Sequence, residues 1–289
     1  MGPGVEANVP RMTMGRAQRR PEVPERGRAP SLAHRLLLPV RLLLPAALAV
    51  GGLWLSLGHG SVLGWLLILP AVGVAVVGVE GLVPERAGGL RPLLGHAAAW
   101  ILPTLTVVAG GLFLRYSLPP VWRSVGLGVT GGLLFLGYLV ESLHGTRRHW
   151  ALLSSRLVLQ VTTYTVAFAA FAGLYDAELR GLQRAGAVAL LAVLLGLEGF
   201  RQTGLGLGPT WAHAGVGGLV LGELSLGLDY LPLGGWLGGA TLLLGLHLLT
   251  GISQSHFLNR LHRATLIEFS AVAGAGVLIL LVALRGGGF

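Results

Sequence analysis

The sequence predicts an all-α fold, a polytopic transmembrane helix bundle of about nine spans with its N-terminus cytoplasmic and its C-terminus outside. Composition is the first reason: 53% of the 289 residues are hydrophobic and only 11% are charged, against about 25% charge in an ordinary soluble domain. The second is that apolar runs of roughly 18 residues or more recur along the chain, each long enough to cross a hydrocarbon core of about 30 Å. The third is the placement of arginine between those runs, which alternates in density as membrane topology demands.

Residues 1–34 form a separate segment, rich in Pro, Gly and Arg and poor in large apolar side chains. Such a segment buries too little surface to offset its chain entropy, so it is expected to be a disordered, basic cytoplasmic tail. It is too long for the n-region of a cleaved signal peptide, and the apolar run after it has the length of a full span with Arg41 near its start, as in an uncleaved anchor. The remainder, 35–289, reads as one transmembrane domain. Spans are expected at 37–57, 61–83, 92–115, 120–142, 156–175, 184–200, 209–230, 234–255 and 265–285, the sixth being the shortest. The loops between them leave no room for a second soluble domain.

Orientation follows from the arginines. An inside N-terminus gives the cytoplasm the tail and the segments 84–92, 144–150 and 257–263 together with Arg156 and Arg201, in all 16 arginines with Arg35 and Arg41 counted at the interface. The other side receives Arg115, Arg123, Arg180, Arg184 and Arg285. Cytoplasmic loops retain positive charge, so this is the favoured orientation. Aromatic residues agree: Trp54, Trp65, Tyr116, Trp122, Tyr175, Tyr230 and Trp236 fall at the outer interface, and Trp150, Phe200, Trp211 and Phe257 at the inner one.

Helix one laid on helix five matches Arg35 with Arg156, Leu38 with Leu159, Ala46 with Ala167 and Gly52 with Gly173. A second offset lays 130–137 on 238–245 and Gln160 on Glu268. A parallel four-plus-four repeat with a closing ninth helix is one reading of these matches; chance agreement among so few letter types is the other. Gly128/Gly132, Gly218/Gly222, Gly234/Gly238 and Gly235/Gly239 are small-xxx-small pairs, which let helix backbones approach closely.

Several function classes are excluded. All 21 basic residues are arginine, so a lysine Schiff base is impossible. There is no cysteine, hence no thiolate nucleophile, thiolate metal site or disulfide. No HExxH or paired-Asp metal motif occurs, and the glycines lie inside apolar helices, not in phosphate-binding loops. The glycine–serine neighbourhood at 58–61 does not fit the Gly-x-Ser pattern of a rhomboid-like protease. The charge of +9 is membrane topology, not a nucleic-acid surface. Heavy use of Gly, Ala, Leu, Val and Arg without lysine points, through codon bias, to a GC-rich bacterial genome and so to the bacterial cytoplasmic (inner) membrane.

A charge at the bilayer centre costs about 2.5–3.5 kcal/mol on insertion scales, so polar residues within spans turn to a bundle interior or a cavity. Glu223 and His247 are the deepest ionisable groups. Folding helices seven and eight as an antiparallel pair about Leu231–Pro232 sets Glu223 opposite Thr241 and His247 opposite Gly217 and Gly218. A desolvated glutamate takes up a proton readily, as proton coupling requires; the plainer expectation is a protonated glutamate hydrogen-bonded to Thr241. On helix five Ser155, Arg156, Gln160, Thr163 and Tyr164 form a polar stripe, with Gln160 expected to point inward. Glu80, Glu141, Glu198 and Glu268 lie at cytoplasmic helix ends near arginines, and Glu198 shares a face with Arg201. They read either as a belt of ion pairs or as a vestibule open to the cytoplasm.

No cofactor is expected. A haem held by His213 and His247 is disfavoured, because His247 and His256 are nine residues apart and two stacked haems need a separation of roughly 20 Å on a helix rising about 1.5 Å per residue. Partners are the lipid bilayer and, through the glycine-rich faces, other membrane proteins. Three functions remain: a permease-like, proton-coupled transporter with a polar path through Glu223, His247, Gln160, Arg156 and Thr241; a non-catalytic structural or assembly subunit; and a membrane enzyme on lipid or isoprenoid substrates. The balance leans away from an enzyme.

Overall fold

The computed structural model describes residues 32–59, 61–80, 90–143, 149–177, 179–201, 207–257 and 262–285. Among these residues there is no strand. The helices are α1 (Leu32–Leu57), α2 (Ser61–Glu80), α3 (Leu90–Leu112), α4 (Arg123–Leu143), α5 (His149–Asp176), α6 (Leu182–Arg201), α7 (Leu207–Leu228), α8 (Gly235–Phe257) and α9 (Arg263–Arg285). A π-helical turn, Phe113–Ser117, extends α3, and a 3₁₀ turn, Pro120–Trp122, leads into α4. Of the expected N-terminal tail, 1–31 lie outside the described residues.

Eight of these helices are long and apolar enough to cross a membrane, which makes the chain a multi-pass membrane protein by length and composition. The ninth, α7, falls short of that criterion because Gly208, Gly215, Gly217, Gly218, Gly222 and Gly227, with Pro209, His213 and Glu223, dilute its apolarity. The helix ends lie close to the expected ones. The largest differences are at N-termini, where α1 begins at Leu32 and not 37, and α5 at His149 and not 156.

Two rings of helices make up the bundle. In the first, α1 packs on α2, α2 on α3, α3 on α4, and α4 closes on α1. Its core holds Leu42, Leu53, Ile68, Val79, Val107, Leu114 and Tyr138, and the buried Tyr138 hydroxyl donates across to the Ala75 carbonyl at 3.0 Å. In the second, α5, α6, α7 and α8 follow one another and α8 closes on α5. The second core is built from Val166, Phe171, Leu195, Leu221 and Leu242, and it takes in Leu105 and Ala109 of α3, whose helix bridges the rings. By contrast α9 packs chiefly on α8, and no residue in its span Thr265–Arg285 is buried.

Glycine seams set the helix distances. Along α6 and α7, a Cβ added at Gly222 would meet the Ala185 carbonyl at 3.0 Å, one at Gly218 the Ala189 carbonyl at 2.6 Å, and one at Gly196 the Ala214 Cβ at 3.4 Å. The two helices are therefore antiparallel with small residues facing at every turn, and the expected Gly218/Gly222 pair packs on α6. Between α5 and α8, Gly239 lies against Ala172 at 2.7 Å, Gly238 against the Tyr175 ring at 2.6 Å, and Gly235 against Asp176. Gly128 and Gly132, expected to form a seam as well, have nothing within 4 Å. That pair sits on an exposed face of α4, where spacing alone carries no information about which face is covered.

The π turn has its own cause. A Cβ at Gly173 would come within 2.6 Å of the Phe113 nitrogen and 2.7 Å of the Leu112 carbonyl carbon, so α5 runs directly against the end of α3. There the helix widens to a turn closed by Leu118 N–H to Phe113 O, at 3.0 Å. Arg123 donates from Nε to the Leu114 carbonyl at 3.1 Å, satisfying an acceptor at a helix end.

Gly173→Leu is expected to destabilise the protein by at least 1–3 kcal/mol, roughly the cost of overpacking a close contact, and to lower the midpoint of thermal unfolding in detergent. Gly128→Leu, on the open face, should stay within about 0.5 kcal/mol of the wild type in the same measurement.

Candidate functional site

Many of the described hydroxyls inside the spans are satisfied locally. Ser56, Thr106, Thr130, Thr163, Thr165, Thr241 and Thr250 each donate to a carbonyl three or four residues earlier in their own helix. This back-bonding removes the hydroxyl from competition for partners on other helices. Polar groups that bond between helices are therefore the informative ones.

The deepest such pair joins α5 to α8. The Tyr164 hydroxyl and His247 Nδ1 are 2.8 Å apart, and the two rings meet edge to face at 5.4 Å between centroids. The pair is positioned by the antiparallel register that sets Ala172 against Gly239: continuing down both helices brings residue 164 level with residue 247. Both side chains are half-buried. They open into a groove of about 470 Å³ between α5, α8 and α9, lined otherwise by Leu237, Ala240, Thr241, Leu244, Gly276 and Ile279. Phe269 of α9 stands 6.3 Å from the imidazole. At the other end of the α5–α8 seam, Trp236 meets the rings of Phe113 and Phe168 at 5.4 and 5.7 Å, which ties the π turn to both helices.

A second cluster closes the α6–α7 seam. Arg184 Nη1 pairs with Asp229 Oδ1, and the Gly181 N–H donates to Asp229 Oδ2 at 3.2 Å. The guanidinium also lies 4.5 Å from the centre of the Tyr175 ring, whose hydroxyl donates to the Leu228 carbonyl at 2.9 Å. Gly181 has φ of +53°, a left-handed conformation that glycine adopts without strain. One end of α5, α6 and α7 is thereby tied together by charge, cation–π contact and main-chain bonds.

Of the residues expected to form one polar path, His247 and Thr241 line the same groove, whereas Glu223 lies apart from it. Glu223 is exposed on the outer face of α7, and Thr241 bonds to Leu237 of its own helix. The helix pairing itself is close to the expected one, since Leu221 and Leu224 flank Gly245, but α7 is rotated so that its glycines meet α6 and Glu223 faces away from α8. His247 turns to Tyr164 instead of Gly217 and Gly218. Gln160, expected to point inward, is exposed one turn from Tyr164 on α5. The side chain of Arg156 lies outside the described residues.

Of the glutamates expected at cytoplasmic helix ends, Glu80 and Glu268 are exposed, Glu141 is half-buried and Glu198 is fully buried at 0% exposure. Their expected partners Arg86, Arg147 and Arg260, and the side chain of Arg201, lie outside the described residues. His213 and His247 occupy different cavities. His213 lines one of about 190 Å³ between α6, α7 and α8, and its Nδ1 bonds to the Pro209 carbonyl at 2.9 Å. Among the described residues no three His, Asp or Glu side chains could hold a metal ion.

Neutralising Asp229 (Asp229→Asn) is expected to cost about 1.5–3 kcal/mol, the range for hydrogen bonds to charged groups. In a cycle with Arg184→Gln, read by unfolding in detergent, the two losses should couple by about 0.5 kcal/mol or more.

No curated protein and no solved structure matches the chain. A family described as "Protein of unknown function (DUF5656)" matches residues 51–283, from the last two turns of α1 almost to the end of α9. Over four-fifths of its length, the chain is a member of the DUF5656 family.

Proposed function

We propose that the protein is a non-catalytic subunit of a membrane assembly, and that it joins its partner through the outer face of α7. The observation that carries this is Glu223. It lies among the exposed side chains of Val216, Leu219, Val220 and Leu224, and it makes no hydrogen bond or ion pair among the described residues. It sits five residues before the end of α7 at Leu228, about 8 Å along the axis, within an apolar face. Lipid offers a carboxyl group there no partner, whereas a neighbouring transmembrane helix with a donor does. Polar contacts of that kind contribute about 1–2 kcal/mol between helices in model systems.

Gly227, one turn from Glu223 on the same side of α7, has nothing within 4 Å, so an incoming backbone can approach closely. The permease reading draws less support, because Glu223 lies apart from the groove that holds His247 and Thr241 and the cavities are lined mainly by apolar side chains. The finer topology belongs to this proposal too: nine crossings, the arginine-rich face toward the cytoplasm of a bacterial inner membrane, and the C-terminus outside. The ring of α1 to α4 followed by the ring of α5 to α8, with α9 outside both, has the outline that a four-plus-four repeat would give.

Because the chain has no native cysteine, single cysteines report contacts without background. Labelled with a maleimide–benzophenone and irradiated, Val220→Cys and Gly227→Cys should form a discrete cross-linked adduct in native membranes, while Val77→Cys on the exposed face of α2 should not. Adding Glu223→Leu to either should reduce the adduct about ten-fold, the equivalent of 1.4 kcal/mol, and Glu223→Gln, which keeps a hydrogen-bonding amide, should reduce it less. Absence of an adduct at both α7 positions would overturn the proposal.

A further inference from the structure

We propose that the groove between α5, α8 and α9 binds an isoprenoid quinone, with the Tyr164–His247 pair holding a quinone carbonyl. Hydrogen-bond chemistry is the first argument. If Tyr164 donates to His247 Nδ1, the imidazole keeps its proton on Nε2; if Nδ1 donates to the phenol oxygen, the Tyr164 hydroxyl keeps its own. In either tautomer the pair retains one donor, and His247 Nε2 makes no hydrogen bond among the described residues. The complement is a neutral acceptor such as a carbonyl oxygen.

Depth is the second argument. His247 is 12 residues from Gly235 and 10 from Phe257 in α8, which places it about 18 and 15 Å from the two helix ends. The ester carbonyls of phospholipids sit at the headgroup boundary of a core about 30 Å thick, far from this pair. A neutral quinone ring on a hydrocarbon tail reaches the midplane freely.

Shape is the third argument. The groove, about 470 Å³ in volume, falls within the ~300–1,000 Å³ of small-molecule sites. Apart from the pair and Thr241, which bonds to its own helix, its walls are Leu237, Ala240, Leu243, Leu244, Ile279 and Leu280, with Gly276. The Tyr164 ring lines the groove and meets the imidazole edge to face at 5.4 Å between centroids, so the wall beside the pair is aromatic, suited to a planar ring. Since α9 packs chiefly on α8, the groove opens sideways, so a tailed ligand can enter from the bilayer with its tail still in lipid.

The test uses the full chain in detergent, with decylubiquinone as the probe and its quenching of tryptophan fluorescence as the readout; Trp236 adjoins the groove at Leu237. Quenching should saturate. Tyr164→Phe, which keeps the packing, and His247→Leu should each weaken binding about ten-fold or more. Ala240→Phe, which fills the groove and leaves the pair intact, should abolish saturation at an unchanged unfolding midpoint. Decylbenzene, with the same tail and no carbonyl, should fail to compete. Non-saturating quenching, or binding indifferent to both Tyr164→Phe and Ala240→Phe, would overturn the assignment. Displacement by methyl palmitate as readily as by decylubiquinone would overturn the quinone in favour of a lipid ester.

Discussion

Close backbone contact at glycine is the constraint on which the bundle depends. Lipid tails are as apolar as leucine, so burial of hydrophobic surface gives helices no reason to leave the bilayer for one another. What remains is dispersion between surfaces that touch, and that requires the absence of side chains at the crossing points. Gly218 and Gly222 on Ala185 and Ala189, Gly239 on Ala172, and Gly173 on the Phe113 backbone are such points. The antiparallel registers of α6 with α7 and α5 with α8 follow from them. The Tyr164–His247 contact and the Arg184–Asp229 pair then fall where those registers bring them.

The same arrangement explains how the interior tolerates its polar groups. With so many hydroxyls bonded to their own helices, few polar contacts cross between helices, and two clusters of them fall at different depths. The Arg184 cluster lies at the helix ends, where water is near and ions are cheap to hold. The Tyr164–His247 pair lies in the middle, where each polar group has the other as its hydrogen-bond partner. Glu223 belongs to neither group: the chain's own packing leaves it exposed on an apolar face of α7.

Much of the helix layout was legible in the sequence because apolar run length and breaking residues act locally: Pro232 and Gly234 end one span as plainly in the sequence as in the fold. Two of the four small-xxx-small pairs, Gly218/Gly222 and Gly235/Gly239, proved to be close contacts, whereas Gly128 and Gly132 face open space. The difference is rotational. In a soluble amphipathic helix the polar face fixes the rotation, but in lipid both faces are apolar and the sequence carries little record of which one is covered. Glu223 and Gln160 were misplaced for that reason: their depth followed from counting residues, and their direction did not. The Tyr164–His247 pair was hidden because it depends on a register between helices separated by more than 80 positions. Arg184 and Asp229 left a fainter trace, as opposite charges at neighbouring helix ends.

The position of α9 carries a mechanical consequence. Its span of 21 residues, Thr265–Arg285, is about 31 Å long, matched to an ordinary bilayer, and none of it is buried. Every other wall of the molecule is held from two sides by a ring of neighbours, whereas this one is held from one side by α8. Its tilt is therefore set by membrane thickness as much as by protein contacts, since a span that mismatches its bilayer tilts at modest cost. A thinner or thicker membrane would move α9 before it moved anything else, and the width of the gap beside Tyr164 and His247 would change with it. In that sense the bilayer itself is one of the structural elements of this protein.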